Sequence, residues 1–335
     1  MSRLSSTPST DTPSAETSST KLERETRPQG SARTPADYAV LLLKGMLMGS
    51  ADVIPGVSGG TVALLVGIYE ELIDGISALT RPMLWKAVWQ RHWKRAFNLV
   101  PWRFLGTLGL GIGIAIVLLA RVLEQLLEHY PVAIWSVFFG LIAASIVTVR
   151  KRVSRWHPPT YIMFAVGTVI AFGLVGLTPA STPTALWFLF LSGFIAVCAL
   201  ILPGISGAFI LVLLGKYQVI LAAVNEFNIA IIAAVGLGAV SGLLSIARIL
   251  RWTLARYHDI TIALLCGFML GSLRKVWPWQ LETGQHEMGQ QDTGGVLVNT
   301  LPTSFTEAVI ALLLATGAFV IVVGIERWSA RREAH

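Results

Sequence analysis

The sequence predicts an all-α polytopic membrane protein with an inverted-topology repeat, each half a re-entrant, broken helical hairpin followed by three transmembrane helices. Three observations predict it. Of 335 residues, 54% are hydrophobic and only 13% charged, with a mean hydropathy of +0.65, too little polar surface to wrap a water-soluble core. Apolar runs near the length that crosses about 30 Å of hydrocarbon recur from residue 38 to residue 325, leaving no room for a soluble domain. A Pro-Gly-Ser-Gly cluster interrupts two of these runs, 148 positions apart.

Residues 1–35 are rich in Ser, Thr and Pro and hold no apolar stretch that could serve as a signal-peptide core, so a disordered cytoplasmic tail is expected. The first half, 36–180, opens with an apolar pair, 38–54 and 61–79, treated as one hairpin. The basic, Trp-rich stretch 85–102 that follows is expected to lie as an amphipathic helix on the inner leaflet. Spans at 103–123, 131–149 and 160–177 complete the half. The second half, 181–328, repeats the order: a pair at 185–202 and 207–224, then spans at 228–250, 260–273 and 305–325, with a short cytoplasmic C-terminus at 329–335. Twenty-one of the 26 Lys and Arg fall on the side this arrangement makes cytoplasmic, against Arg274 and Lys275 on the other. That imbalance places both termini on the cytoplasmic side of the inner membrane. The parity is the same for a hairpin or for two full spans. The net charge of +7 therefore orients the chain in lipid, and nucleic acid is not among its expected partners. Cys198 and Cys266 lie in apolar segments with no ligand spacing around them, as packed thiols.

The repeat is explicit. IPGVSGGTVALLVGIY at 54–69 lies over LPGISGAFILVLLGKY at 202–217, matching Pro55, Gly56, Ser58, Gly59, Gly67 and Tyr69 to Pro203, Gly204, Ser206, Gly207, Gly215 and Tyr217. A weaker echo sets GLIAASI at 140–146 over GFMLGSL at 267–273. Three spans per half is an odd number, so the second half is expected upside down relative to the first. The two clusters then approach from opposite faces, as broken helices do around the substrate of secondary transporters.

Pro55 and Pro203 lack a backbone N–H and the neighbouring glycines are free to turn, so each cluster ends one helix and starts another. A helix starting at Ser58, Gly59, Gly60 and Thr61 would present unpaired N–H groups and the positive end of its dipole, with hydroxyls from Ser58, Thr61 and Ser206. That chemistry suits an anion, phosphate above all. One such cluster would be read as a close helix contact; two matched copies favour binding. Charges at membrane depth need partners or water. Lys44 is placed to pair with Asp52 or to face the ligand, Lys216 is a candidate phosphate contact, and Asp52 and Glu70 are candidate H+ or Na+ sites. Arg274 and Lys275, beside WPWQ, suit either lipid phosphate or an interfacial anchor. A membrane lipid phosphatase would need a nucleophile with its base or clustered metal ligands; no His pair has such spacing, and no metal, cofactor or catalytic residue is expected. A transporter of a small soluble anion shares every hairpin feature.

Three strings, KGMLMGSADVIPGVSGGTVALLVGIYEELI, CALILPGISGAFILVLLGKY and YHDITIALLCGFMLGSLRKVWPW, resemble the PopT-type polyprenyl-phosphate transporter family over essentially everything after the tail. The resemblance implies flipping of undecaprenyl phosphate, the carrier lipid of envelope and peptidoglycan synthesis, from the outer to the inner leaflet. It puts at stake Lys44, Asp52, Pro55, Gly56, Ser58, Gly59, Gly60, Thr61 and Glu70 in the first hairpin. In the second it marks Pro203, Gly204, Ser206, Gly207, Lys216 and Tyr217, with Arg274 and Lys275 from the third string. Ala208 stands where the first copy has Gly60.

Overall fold

The computed structural model describes residues 33–52, 58–180, 182–283 and 296–333. Pro55, Gly56 and the tail before residue 33 lie outside the described residues. The chain forms two compact units, Met1–Ala39 and Val40–His335. In the first, Thr34 and Asp37 exchange side-chain to backbone hydrogen bonds at 2.8 and 3.3 Å, a reciprocal cap that starts a helix at Pro35.

Helices follow in the order α1 (Pro35–Asp52), α2 (Gly59–Leu65), α3 (Tyr69–Ala78), α4 (Pro82–Trp89), α5 (Trp93–Asn98), α6 (Trp102–His129), α7 (Pro131–Val149) and α8 (Pro158–Val175). The chain continues through α9 (Leu186–Ile201), α10 (Gly207–Leu213), α11 (Tyr217–Asn225), α12 (Ile229–Arg256), α13 (His258–Ser272) and α14 (Phe305–Glu333). Five of them, α6, α7, α8, α12 and α14, are long and apolar enough to cross a membrane. The protein is a multi-pass, mostly helical membrane protein. A small departure from the all-helical expectation is an antiparallel pair, β1 (Gln280–Thr283) and β2 (Val296–Asn299), with Gln280 opposite Asn299. The valines and alternating polar residues of this stretch favour extended chain over helix.

Local structure repeats between the two copies of the motif. The helices α2 and α10 each have seven residues and a Ser N-cap, Ser58 or Ser206. Each also ends on a glycine with positive φ, 75° at Gly67 and 63° at Gly215. The endings share one hydrogen-bond pattern: Ile68 N–H reaches Ala63 O at 3.0 Å, and Lys216 N–H reaches Leu211 O at 2.8 Å. This is the left-handed glycine stop of a helix. The sequence predicted one break per hairpin; the structure has a second, at Gly67 and at Gly215, which bends α10 from α11 by 104°. The long helices α6 and α12 are both 28 residues and end on tyrosines of nearly identical backbone, Tyr130 at φ −134°, ψ 50° and Tyr257 at φ −136°, ψ 51°.

Small residues set the packing. Gly45 of α1 meets the backbone of α6 at Leu108 and Gly111, and Gly193 of α9 meets α12 at Val235. Side chains there would force these helices apart, so the contact replaces hydrophobic drive with close backbone approach. The last helices cross over between halves: Gly140 of α7 lies on Ala315 of α14, whereas Gly267 of α13 lies on Phe164 of α8. Each half thus supplies the closing helix of the other.

Between α3 and α6 the expected single amphipathic helix is instead an elbow of α4 and α5. Arg91, at φ 56°, stops α4, with His92 N–H on Ala87 O at 2.9 Å and Arg91 N–H on Val88 O at 3.0 Å. The bend lets both short helices bury one edge together, through Leu84, Ala87, Ala96 and Val100, against Ala78 at the end of α3.

Candidate functional site

The two copies of the duplicated motif meet, at Ser58–Thr61 and Leu200–Gly204. Ser58 is fully buried; its Oγ accepts from Gly60 N–H at 3.1 Å and lies within donor reach of Leu200 O and Leu202 O at 3.2 and 3.3 Å. Thr61 Oγ1 accepts from Gly204 N–H at 2.9 Å, and Tyr69 donates its hydroxyl to Ile201 O at 3.2 Å. Three side chains of the first hairpin therefore satisfy the backbone of the second at its own break, where α9 has ended and the carbonyls and N–H groups lack helical partners. The approach is tight: a Cβ on Gly60 would lie 2.7 Å from Ile201 O. Gly204, at φ +88°, is wedged against α13, where a Cβ would lie 2.8 Å from Phe268 O.

The start of α2 is not vacant. Asp52, the last residue of α1, accepts Gly59 N–H on Oδ1 at 2.7 Å. The N–H groups and dipole at a helix N-terminus attract a carboxyl oxygen, so the acceptor at this position is the chain's own. The second tip differs. Leu200 stands where the first copy has Asp52, and Ser206 Oγ caps α10 by accepting from Phe209 N–H at 3.5 Å. Gly207 packs on Ala196 O and Leu200. Lys275 reaches this tip from the next loop, its Nζ 4.8 Å above the Phe209 ring. Arg274 turns the other way, over Phe172 at 4.6 Å, and its Nη1 sits by the Phe172 carbonyl.

The remaining charged candidates lie apart from the tips. Lys44 Nζ donates to Val66 O at 2.9 Å, closing the end of α2. Lys216 is 2% exposed and donates to Thr182 O at 2.7 Å, with the Phe188 ring at 5.7 Å; Thr182 in turn donates to Leu214 O. It clasps the α8–α9 connection to the α10–α11 turn. Tyr217, unlike its fully buried counterpart Tyr69, is 42% exposed. Glu70 lies 3.5 Å from His258 Nε2, and one turn on Asp74 pairs with Arg251 at 2.9 Å. His258 also touches Asp259, whose carboxylate accepts the N–H groups of Ser154 and Arg155 at 3.1 and 3.0 Å. These contacts gather α3, the α7–α8 loop and the α12–α13 corner, all assigned to the basic side by charge.

Sequence reasoning missed Tyr69 as a tip residue, although its place in the repeat marked it. The pairing of Asp74 with Arg251 was not foreseen either. No group of His, Cys, Asp or Glu suited to a metal occurs among the described residues.

A family model described as VCA0040-like, undecaprenyl phosphate translocase-like, matches residues 48–292. The polyprenyl-phosphate transporter of Vibrio cholerae is 37% identical over 305 residues, spanning 88% of this chain and 98% of that protein. The polyprenyl-phosphate transporter of Staphylococcus aureus is 27% identical over 256 residues, 71% of this chain and 85% of that protein. No solved structure matches.

Proposed function

Because the chain belongs to the undecaprenyl phosphate translocase-like family, we propose that it carries undecaprenyl phosphate from the outer to the inner leaflet of a bacterial cytoplasmic membrane, as a transporter and not an enzyme. The observation that carries this reading is the Thr61–Gly204 hydrogen bond, which ties together the two copies of one Gly-Ser bend. The phosphate takes the place of that contact, between Ser58–Thr61 and Gly204–Gly207, with Lys275 beside the second tip. The prenyl chain stays in lipid.

Re-entrant hairpins are supported by helix length. Seven residues rise about 10 Å, a third of the hydrocarbon thickness, so neither α2 nor α10 reaches across alone. Inversion of the halves is supported by the company each turn keeps. A Cβ on Gly67 would lie 3.3 Å from Arg152 Nη2, on the basic side, whereas one on Gly215 would lie 2.8 Å from Ala180 O, in the loop assigned to the opposite side. The tips then enter from facing surfaces and alternate access between them.

Coupling follows from Asp52. While charged, it holds Gly59 N–H and repels an incoming phosphate; a proton or sodium ion on it releases the N–H and removes the repulsion. Moving an anion inward against an inside-negative potential costs about 2.3 kcal/mol per charge per 100 mV, which an entering cation offsets. Glu70, beside His258, is the second carboxylate on the route.

In proteoliposomes the protein should move a polyprenyl phosphate between leaflets, with excess inorganic phosphate competing weakly. Equal transport of inorganic phosphate would instead select a soluble-anion carrier. Ser58→Ala with Ser206→Ala should weaken polyprenyl-phosphate binding at least about tenfold, two hydrogen bonds to a charged group being lost. Unchanged binding would remove the headgroup from the tips.

A further inference from the structure

We infer that the α4–α5 elbow is a docking surface for the anionic headgroups of the leaflet it lies on. Its outward edges carry Trp85, Trp89, Trp93 and Phe97, exposed by 60, 92, 65 and 63%, and Trp102, 42% exposed, follows at the start of α6. Rings so exposed would be costly in water and belong at the headgroup layer, where their apolar faces and polar edges both find partners. Interleaved with them are Lys86, Arg91, Lys94, Arg95 and Arg103, all exposed.

No Asp or Glu occurs between Asp74 and Glu124, so nothing on this segment neutralises the basic set. The complement of this surface is therefore a sheet of negative phosphates, and not merely an apolar boundary.

The elbow has no counterpart in the second half, where α11 and α12 are separated by only Glu226–Asn228. A repeat whose helices are otherwise matched keeps these two extra helices in the first half. Because its buried edge rests on Ala78, headgroups seated on the elbow bear directly on the arm of the first hairpin.

The test is made with the full chain in phosphatidylcholine vesicles carrying trace spin-labelled phosphatidylglycerol or spin-labelled phosphatidylcholine. The motionally restricted fraction of each label is read by electron paramagnetic resonance. The protein should favour phosphatidylglycerol about threefold, and a Lys86→Gln, Arg91→Gln, Lys94→Gln, Arg95→Gln variant should fall to parity with an unchanged melting temperature. Exchanging Lys for Arg at the same four positions should restore the preference, and salt near 1 M should suppress it, since screening then acts within about 3 Å. No preference in the unmodified protein, as expected if the elbow served an acidic protein, would overturn the inference. So would a preference that survives the four-fold glutamine change.

Discussion

Gly204→Ala should abolish transport and lower thermal stability by at least about 3 kcal/mol. Two costs add. An L-residue held at φ +88° costs about 1–2 kcal/mol on its own. The new methyl carbon would also lie 2.8 Å from Phe268 O and 2.9 Å from the Met269 Cα, both backbone atoms of a packed helix that cannot yield as a flexible side chain would. Relief requires Gly204 to withdraw, and withdrawal breaks the bond from its N–H to Thr61 Oγ1 across the tips. The matched control is Gly236→Ala, where a Cβ meets nothing within 4 Å and α12 gains a better helix former. A thermal-shift series in detergent, paired with leaflet-exchange measurements, checks both. If Gly204→Ala melted and transported like the parent, the close junction of the tips would be wrong.

Asp52→Asn separates charge from geometry. The amide oxygen can still accept Gly59 N–H, so the melting temperature should shift little, by less than about 1 kcal/mol in stability. Transport driven by an imposed proton or sodium gradient should fall at least about tenfold, while slow exchange without a gradient persists, because no carboxylate remains to carry the cation. Asp52→Ala removes the acceptor as well and should destabilise by about 1–2 kcal/mol. Glu70→Gln should retain part of the gradient response, since Glu70 is half exposed and leans on His258. Equal gradient sensitivity in Asp52→Asn, Glu70→Gln and the parent would end the coupling proposal.

Much of the helical order was legible before any coordinates. Hydropathy drew the spans 103–123, 131–149 and 228–250, and the helices there run Trp102–His129, Pro131–Val149 and Ile229–Arg256. The excess length of α6 and α12 lies in Gln125, Glu128 and His129, or in Arg251 and Arg256, polar residues that a hydrophobicity window discards although they continue the helix. The duplicated motif marked where the two segments meet, and part of what it encodes is local: a Ser to cap the helix that follows, Ser58 in one copy and Ser206 in the other. The second break was written there too, in Gly67 and Gly215, but a glycine inside an apolar run reads equally well as a packing contact until its φ is known.

Partner choice was the part that stayed hidden. Asp52 reaching Gly59 spans seven residues, but Asp74 with Arg251, Thr61 with Gly204 and Lys216 with Thr182 join segments that only the folded chain brings together. Lys216 is the sharpest case. Its type and its place beside the repeat suggested an anion, and nothing near it in the sequence pointed to the Thr182 carbonyl and the Phe188 ring that it meets. The elbow failed for another reason: its composition named an amphipathic surface correctly, but nothing in the pattern of Trp and Lys placed the left-handed residue at Arg91 that folds it in two.

The exchange of closing helices, α14 onto α7 and α8 onto α13, bears on how the molecule is made. During synthesis, α7 emerges long before α14, so its glycine seam must wait in the translocon or in lipid for a helix translated some 150 residues later. Cutting the gene at residue 180 would not yield two modules that fold alone, only two fragments each missing a wall. Co-expressed, they should rescue one another, as strands of a split protein do.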